Sequence, residues 1–478
     1  MDINDLFLSC KKGDLSRLQY LVEQKEVEPN VRDKWDSTPL YYACLCGHED
    51  VVKYLLENGA VCEANTFDGE RCLYGALNDK IKNLLKSYKA ITAHTIRRDV
   101  YTEFLRRVRD RTPYSDIVFD VNGHLFPAHR CILAVRCPYF MEMFDNKWQH
   151  RSKIVINNQL VQPRAFQAVL QYLYTARLDT QYEHVEEILR LAKQCNLDNL
   201  IEQLEERIKK IFSFESTKPG VNVTVISLEP NLNSRELQDD LCVLADLALP
   251  TNFMTEVNDV ELPFPAPENV QMFGDIIFEV EGNKFVCHKV FFCERSDYFK
   301  AMLEDHFGEY GSEGELPILS IHDINTDIFV QVLFYIYQDK CEKLTPENVY
   351  DVLCAADMYL LVGLKRQCAA YIGQELEVNN IVSILHTARL FNLPRLEDQC
   401  AEYIAGKIDQ VLKLPEFIDF VQEDAASVVG RQETDSIPII DDVRFHITNF
   451  IQTFSDMYDA DQKLAQIDNF LEELGLDG

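Results

Sequence analysis

One stretch of 30 residues occurs twice, and nothing else constrains the fold as strongly. Residues 115–144 read SDIVFDVNGHLFPAHRCILAVRCPYFMEMF, and residues 274–303 read GDIIFEVEGNKFVCHKVFFCERSDYFKAML. Asp116 aligns with Asp275, His129 with His288, and Met143 with Met302, all at one interval of 159 positions without a gap. Tyr139 and Phe140 fall on Tyr298 and Phe299 at the same interval. Surface positions differ freely while apolar, turn and charge positions persist, as in a duplicated domain. Ile117, Phe119 and Val121 alternate as a half-buried strand does, and Asn122-Gly123 is a tight-turn signal before a return strand at Leu125-Phe126. Helices are expected from His129 and from Pro138, a third strand at Ile154–Ile156, then helices over Phe166–Tyr174 and Ile188–Leu200. The second copy repeats this order through Ile318–Ile321, Phe329–Tyr337 and Val352–Leu364.

A second periodicity, near 33 residues, occupies positions 1–86. Its central unit runs from Asp33 to Ala60: Thr38-Pro39-Leu40 makes a turn and opens a helix, and Ala43 is small enough for helices to approach. Gly47 ends that helix, Leu55 and Leu56 belong to the apolar face of the next, and Gly59 stops it. The unit before aligns at offset 34 and the one after, Gly69–Leu77, at offset 33 before it truncates. Two and a half units fall below the ~3 that a self-sufficient stack needs, so this array should lean on its neighbour.

Charge narrows the function. The net charge is −31, which argues against nucleic acid or an anionic membrane as partner. Residues 213–268 hold 10 Asp/Glu against 2 Lys/Arg and residues 415–478 hold 15 against 3, so linker and tail rather than domain cores are acidic. The basic stretch, 86–111, carries 8 Lys/Arg against 3 Asp/Glu; Tyr101, Phe104, Leu105 and Val108 form one face of a helix there, with Arg106, Arg107 and Arg109 off it. The 15 cysteines are scattered singly with no CxxC pair, no apolar run approaches the ~20 residues of a membrane span, and MDINDLF lacks a signal-peptide pattern. The expectation is a reduced, cytoplasmic protein, with nuclear access left open. No nucleophile, metal site or cofactor loop accompanies His129 or His288, so catalysis is not expected.

The central unit of the N-terminal array resembles an ankyrin repeat, although Asp36 and Tyr41 stand where that family usually has Gly and His. The duplicated stretch resembles a BTB/POZ domain, and residues 375–425 resemble the BACK helices that follow such domains in ligase adaptors. The order closely matches the ankyrin repeat and BTB/POZ domain-containing family. The expected architecture is α+β and multidomain: ankyrin repeats (1–86), a basic amphipathic helix (87–114), a first BTB/POZ α/β domain (115–212) and an acidic, Pro-containing linker (213–268). A second BTB/POZ domain (269–372), BACK-like helices (375–430) and acidic C-terminal helices (431–478) follow. Within the linker, Val221–Leu228 can form a strand and Arg235–Leu249 a short helix that supplies what the second copy otherwise lacks.

The resemblance implies an adaptor that docks on a Cullin-3 scaffold and brings a protein substrate, its identity not readable from sequence, to a RING ubiquitin ligase. The alternative is a signalling or transcriptional scaffold without ligase activity. It also implies a hydrophobic-x-Glu element after the YFxxM helix. In the second copy this maps to Phe307 and Glu309, beside Tyr298 and Phe299; in the first, Trp148 keeps the apolar residue, beside Tyr139 and Phe140, but His150 replaces the acid. The resemblance further implies structural charge pairs, Asp116 with Arg130 and Asp275 with Lys289, near a pairing face. Whether BTB pairing occurs between chains or between the two copies in one chain is open at this point.

Overall fold

The computed structural model describes residues 2–25, 27–33, 37–60, 62–63, 78–88, 91–92, 100–217, 225–228, 235–250, 273–305, 316–341, 343–427, 437–449 and 454–476. Gly69–Leu77, Phe307 and Glu309 lie outside them.

The N-terminal array stacks helices α1 (Asp2–Lys12), α2 (Pro39–Cys46), α3 (Glu49–Glu57) and α4 (Asp79–Ser87). Thr38 caps α2, its hydroxyl accepting the Tyr41 N–H at 3.3 Å, with Pro39 in the first turn where no N–H is needed. Gly47 closes α2 at φ +79°, a left-handed position that a side chain resists. Leu40, Ala43, Leu55 and Leu56 are buried in a core shared with Leu6, Leu21, Ile81 and Leu85.

Helix α5 (Val100–Arg111) buries Tyr101, Phe104, Leu105 and Val108. Arg106 pairs with Glu103 and Asp110, each at 2.8 Å, and lies 4.1 Å over the Tyr88 ring at the end of the repeat array. Arg111 approaches Glu57 of α3 at 3.7 Å, and Arg366 donates to the carbonyls of Val22 and Glu23. The short array therefore rests on the rest of the chain, as its length requires.

The first copy contains β1 (Ile117–Val121), β2 (His124–Ala128), α6 (Arg130–Arg136), α7 (Pro138–Asp145), β3 (Lys153–Ile156), α8 (Pro163–Thr175), β4 (Leu178–Gln181), α9 (Val185–Gln194) and α10 (Asp198–Thr217). Strand β1 lies centrally, antiparallel to β2 and parallel to β3. Asn122 and Gly123 both take positive φ, 49° and 88°, so the hairpin closes with the turn that matches strand twist. Two elements come from the linker, β5 (Val225–Leu228) and α11 (Glu236–Ala248). The second copy repeats the sheet with β6 (Ile276–Val280), β7 (Asn283–Cys287) and β8 (Ile318–Ile321), in the same relative order. Its helices are α12 (Lys289–Arg295), α13 (Asp297–Asp305), α14 (Thr326–Gln338), α15 (Val349–Met358) and α16 (Val362–Ile372).

The C-terminal region is helical: α17 (Ile381–Leu390), α18 (Pro394–Gly406), α19 (Pro415–Ser427), α20 (Pro438–Asn449) and α21 (Phe454–Leu474), with a short turn of helix at Ile408–Val411. Asp424, buried, ties them together by accepting from Arg389 at 2.7 Å and from the Ile439 N–H at 2.9 Å. A single apolar core runs from Tyr101 to Leu471. No helix of the described residues is long and apolar enough to cross a membrane.

Candidate functional site

The two copies pack against each other through elements that cross over. Strand β5, which precedes the second copy in sequence, pairs antiparallel with β4 of the first copy, Leu178 opposite Leu228. Helix α11 then packs on α14 of the second copy and on α6 of the first, while α5 packs on α8 of the first and α12 of the second. The arrangement is a pseudo-twofold pair made by one chain. Two residues at the entry to each sheet also cross: Tyr114 donates to Glu304 of α13 at 3.0 Å, and Phe273 packs edge-on against Phe144 of α7 at 5.6 Å.

Two equivalent arginines close this seam. Arg295 donates to the carbonyls of Tyr335 and Ile336 at 3.1 and 3.0 Å and pairs with Asp339. Its guanidinium lies 4.7 Å over the Tyr335 ring and 5.1 and 5.5 Å over Tyr101 and Phe104 of α5. Arg136 donates to the Leu173 carbonyl at 3.1 Å and lies 5.9 Å over the Tyr172 ring. Its carboxylate partners, Asp240 and Glu236, belong to α11. Burial raises the Asp240 carboxyl above its usual range even though Arg136 pulls it down.

The conspicuous histidines are internal struts. The Nε2–H of His129 donates to the Pro113 carbonyl at 2.6 Å, which leaves Nδ1 to accept the Tyr174 hydroxyl at 2.7 Å. The same hydroxyl accepts the backbone N–H of His129 at 3.0 Å, and His288 with Tyr337 repeats both contacts at 2.7 and 3.1 Å. Burial pushes His129 down to about 4, against a small upward pull from Pro113. The folded chain therefore binds fewer protons here than the unfolded chain between pH 6.5 and 4. This group's stabilisation is present above pH 6.5 and lost as pH falls toward 4, by about 2–3 kcal/mol. Denaturation across that range should show the slope, and a His129→Asn variant, less stable at neutral pH, should lack it.

The aspartates of the expected charge pairs also cap helices. Asp116 accepts the backbone N–H of Arg130 at 2.9 Å, and Asp275 that of Lys289 at 2.7 Å, each satisfying a first-turn donor. The Arg130 guanidinium pairs with Asp116 through Nε at 3.9 Å while it donates to the carbonyls of Gln149 and Arg151 at 3.0 and 2.6 Å. Burial raises both aspartate carboxyls, the helix N–H groups pull them back, and Asp275 adds repulsion at Asp116.

The aromatic residues proposed for docking divide. Trp148, Phe140 and Phe299 are turned inward, Trp148 packing on Phe119, Phe140 and Phe144 at 5.9–6.2 Å. An indole in the core cannot also be an exposed knob, so the first copy's proposed anchor is corrected to a packing residue. Tyr139 and Tyr298 are half-buried, and Tyr298 lies 5.2 Å from the ring of Tyr359 at the end of α15.

From there an exposed apolar stripe continues along α15, one that sequence reasoning missed. Tyr350, Cys354 and Met358 follow at four-residue spacing, and Leu360 extends the row. Tyr350 and Met358 are each 40% exposed and Leu360 55%. The first copy carries Glu186, Arg190, Gln194 and Asn196 at the equivalent exposed positions. The signal was available by setting α9 beside α15. Periodicity alone hides it, because α15 also has a buried face in Val349, Val352, Leu353 and Ala356.

Comparisons with known proteins fit this architecture. A profile for the BTB/POZ domain matches residues 105–211 and 266–376, and one for ankyrin repeats (3 copies) matches 6–94. BTB/POZ domain-containing protein 3 of Schizosaccharomyces pombe is 32% identical over 99% of this chain and 89% of its own length. The chain belongs to the ankyrin repeat and BTB/POZ domain-containing family. An ankyrin repeat-containing protein of Saccharomyces cerevisiae is 27% identical over 94% of this chain and 90% of its own. Kelch-like protein 40 of Xenopus tropicalis is 27% identical over 22% of this chain and 16% of its own. Both kinds of module in this family are typically non-catalytic and serve protein interaction, and the chain is an interaction adaptor.

Proposed function

We propose that the chain recruits substrates to a cullin-RING ubiquitin ligase, docking a Cullin-3-type scaffold through its second BTB/POZ copy. The observation that carries this reading is the exposed Tyr350–Cys354–Met358–Leu360 row, which the first copy replaces with charged and amide side chains. Large apolar and aromatic groups on an exposed helix face are what a partner helix can desolvate, and truncating such anchors typically costs most of the affinity. Tyr298 packs on buried Tyr359, which lies between Met358 and Leu360 in the chain, on the same copy that holds Phe307 and Glu309 in sequence. The resemblance to BTB/POZ adaptors, a Kelch-like protein among the relatives, supports a Cullin-3-type scaffold as the partner. In this role the chain raises the effective concentration of a bound protein near the ubiquitin carrier, and acts in the cytoplasm.

The test is co-purification of the full chain with Cullin-3. A Tyr350→Glu/Met358→Glu variant should recover at least about tenfold less cullin while keeping the parent melting curve. Phe307→Ala with Glu309→Lys should act in the same direction. Undiminished cullin recovery by the folded Tyr350/Met358 variant would overturn the docking face. Recovery of transcription factors in place of cullin and RING subunits would favour the scaffold reading.

A further inference from the structure

The first copy sets two thiols together where the second has a serine and a tyrosine. Cys137, between α6 and α7, falls on Ser296, and Cys195, which closes α9, falls on Tyr359, which closes α15. One hydrogen bond at this place is common to both copies. The Ser296 hydroxyl donates to the Tyr359 carbonyl at 2.7 Å, and the Cys137 thiol donates to the Cys195 carbonyl at 3.4 Å. A hydroxyl therefore suffices to join the start of one helix to the end of the other, and that contact does not require sulfur. The two thiols also lie within hydrogen-bonding reach of each other. Burial pushes the Cys137 thiol up, but the Cys195 thiol and then the Phe140 and Tyr139 N–H groups outweigh it and hold it below its usual range. Contact with Cys137, and then burial, raises Cys195. One sulfur of the pair is thus the readier to lose its proton and act as nucleophile.

We infer that Cys137 and Cys195 form a reversible oxidation site, at which hydrogen peroxide joins the start of α7 to the end of α9 by a disulfide. The Cys137 thiolate attacks one peroxide oxygen, the O–O bond breaks, and the sulfur becomes a sulfenic acid while the other oxygen leaves as hydroxide. The Cys195 sulfur then displaces the sulfenic oxygen and the S–S bond forms. Each sulfur gives up one electron, the peroxide takes both, and with the two thiol protons both oxygens end as water. A dithiol reverses the step by exchange. Only a small oxidant suits the site, because Cys137 is fully buried and Cys195 is 4% exposed. Ser296 and Tyr359 cannot make such a bond, so oxidation ties these helices in one copy and leaves the other unchanged. The inference does not rest on cullin docking.

The test is peptide mapping of the full chain, reduced, freed of reductant, exposed to hydrogen peroxide and then capped with N-ethylmaleimide in denaturant. A linked peptide pair carrying Cys137 and Cys195 is expected, lighter than the two reduced peptides by the thiol hydrogens and released by dithiothreitol. Cys131, buried to the same degree in the same copy and raised by that burial, is the internal reference. The pair should be consumed at least about tenfold faster than Cys131. Cys137→Ser, the residue that the second copy carries here, should keep the melting curve and yield no linked pair. Cys195→Ser should strand Cys137 as a sulfenic acid that dimedone captures. Absence of the linked pair from the oxidised, folded chain would overturn the inference. So would consumption no faster than that of Cys131, because the thiols would then react only through unfolding.

Discussion

An Arg295→Met variant is expected to lose about 3 kcal/mol of unfolding free energy, measured by chemical denaturation. Methionine fills much of the same volume but cannot donate. The Ile336 carbonyl and the Asp339 carboxylate then lose the guanidinium, while the Tyr335 carbonyl keeps the Asp339 N–H at 2.9 Å. Asp339 keeps some access to water, which holds the loss near the lower end of the range for a broken buried pair. The stacking on Tyr101 and Phe104 goes too, so α5 should exchange amide protons faster in the variant. Arg295→Lys keeps a charge but not the planar fork and should fall between the two. A loss under about 1 kcal/mol would mean that Arg295 is no more than a surface pair.

Light scattering of the full chain is expected to return a mass near 55.3 kDa, not twice that value. The pairing seam is already filled from within: β5 completes the edge at β4, and α11 sits between α6 and α14. Tethering makes that pairing intramolecular, so an intermolecular copy must compete with a partner at much higher effective concentration. Twice the mass, stable to dilution, would show instead that β5 and α11 are exchanged between chains. The same measurement on an Arg136→Glu variant, which opposes two like charges at Asp240 and Glu236, should show whether loosening the internal pair promotes exchange.

The duplicated sheet was legible because its signals are local. Alternating Ile117, Phe119 and Val121 needs only a strand, and Asn122-Gly123 needs only a turn. The amphipathic helix of Tyr101, Phe104, Leu105 and Val108 was equally plain, and Arg106 and Arg109 on it pair with acidic neighbours. The strand expected over Val221–Leu228 was readable too, its described part being Val225–Leu228, yet not its destination. Which edge a strand joins depends on tertiary packing, and here it crosses to the other copy. Trp148 failed for a related reason. A large aromatic near a helix end reads equally well as an anchor or as core.

The crossed seam has a consequence for how each half can change. In a symmetric homodimer every substitution at the pairing face enters twice, on both sides of the axis, and must suit itself. Joined head to tail, each side is altered alone. Arg136 can take its carboxylate from the neighbouring helix while Arg295 takes one from its own half. One exposed helix can turn oily while its twin stays charged, so a fused pair escapes the mirror that two separate chains would impose.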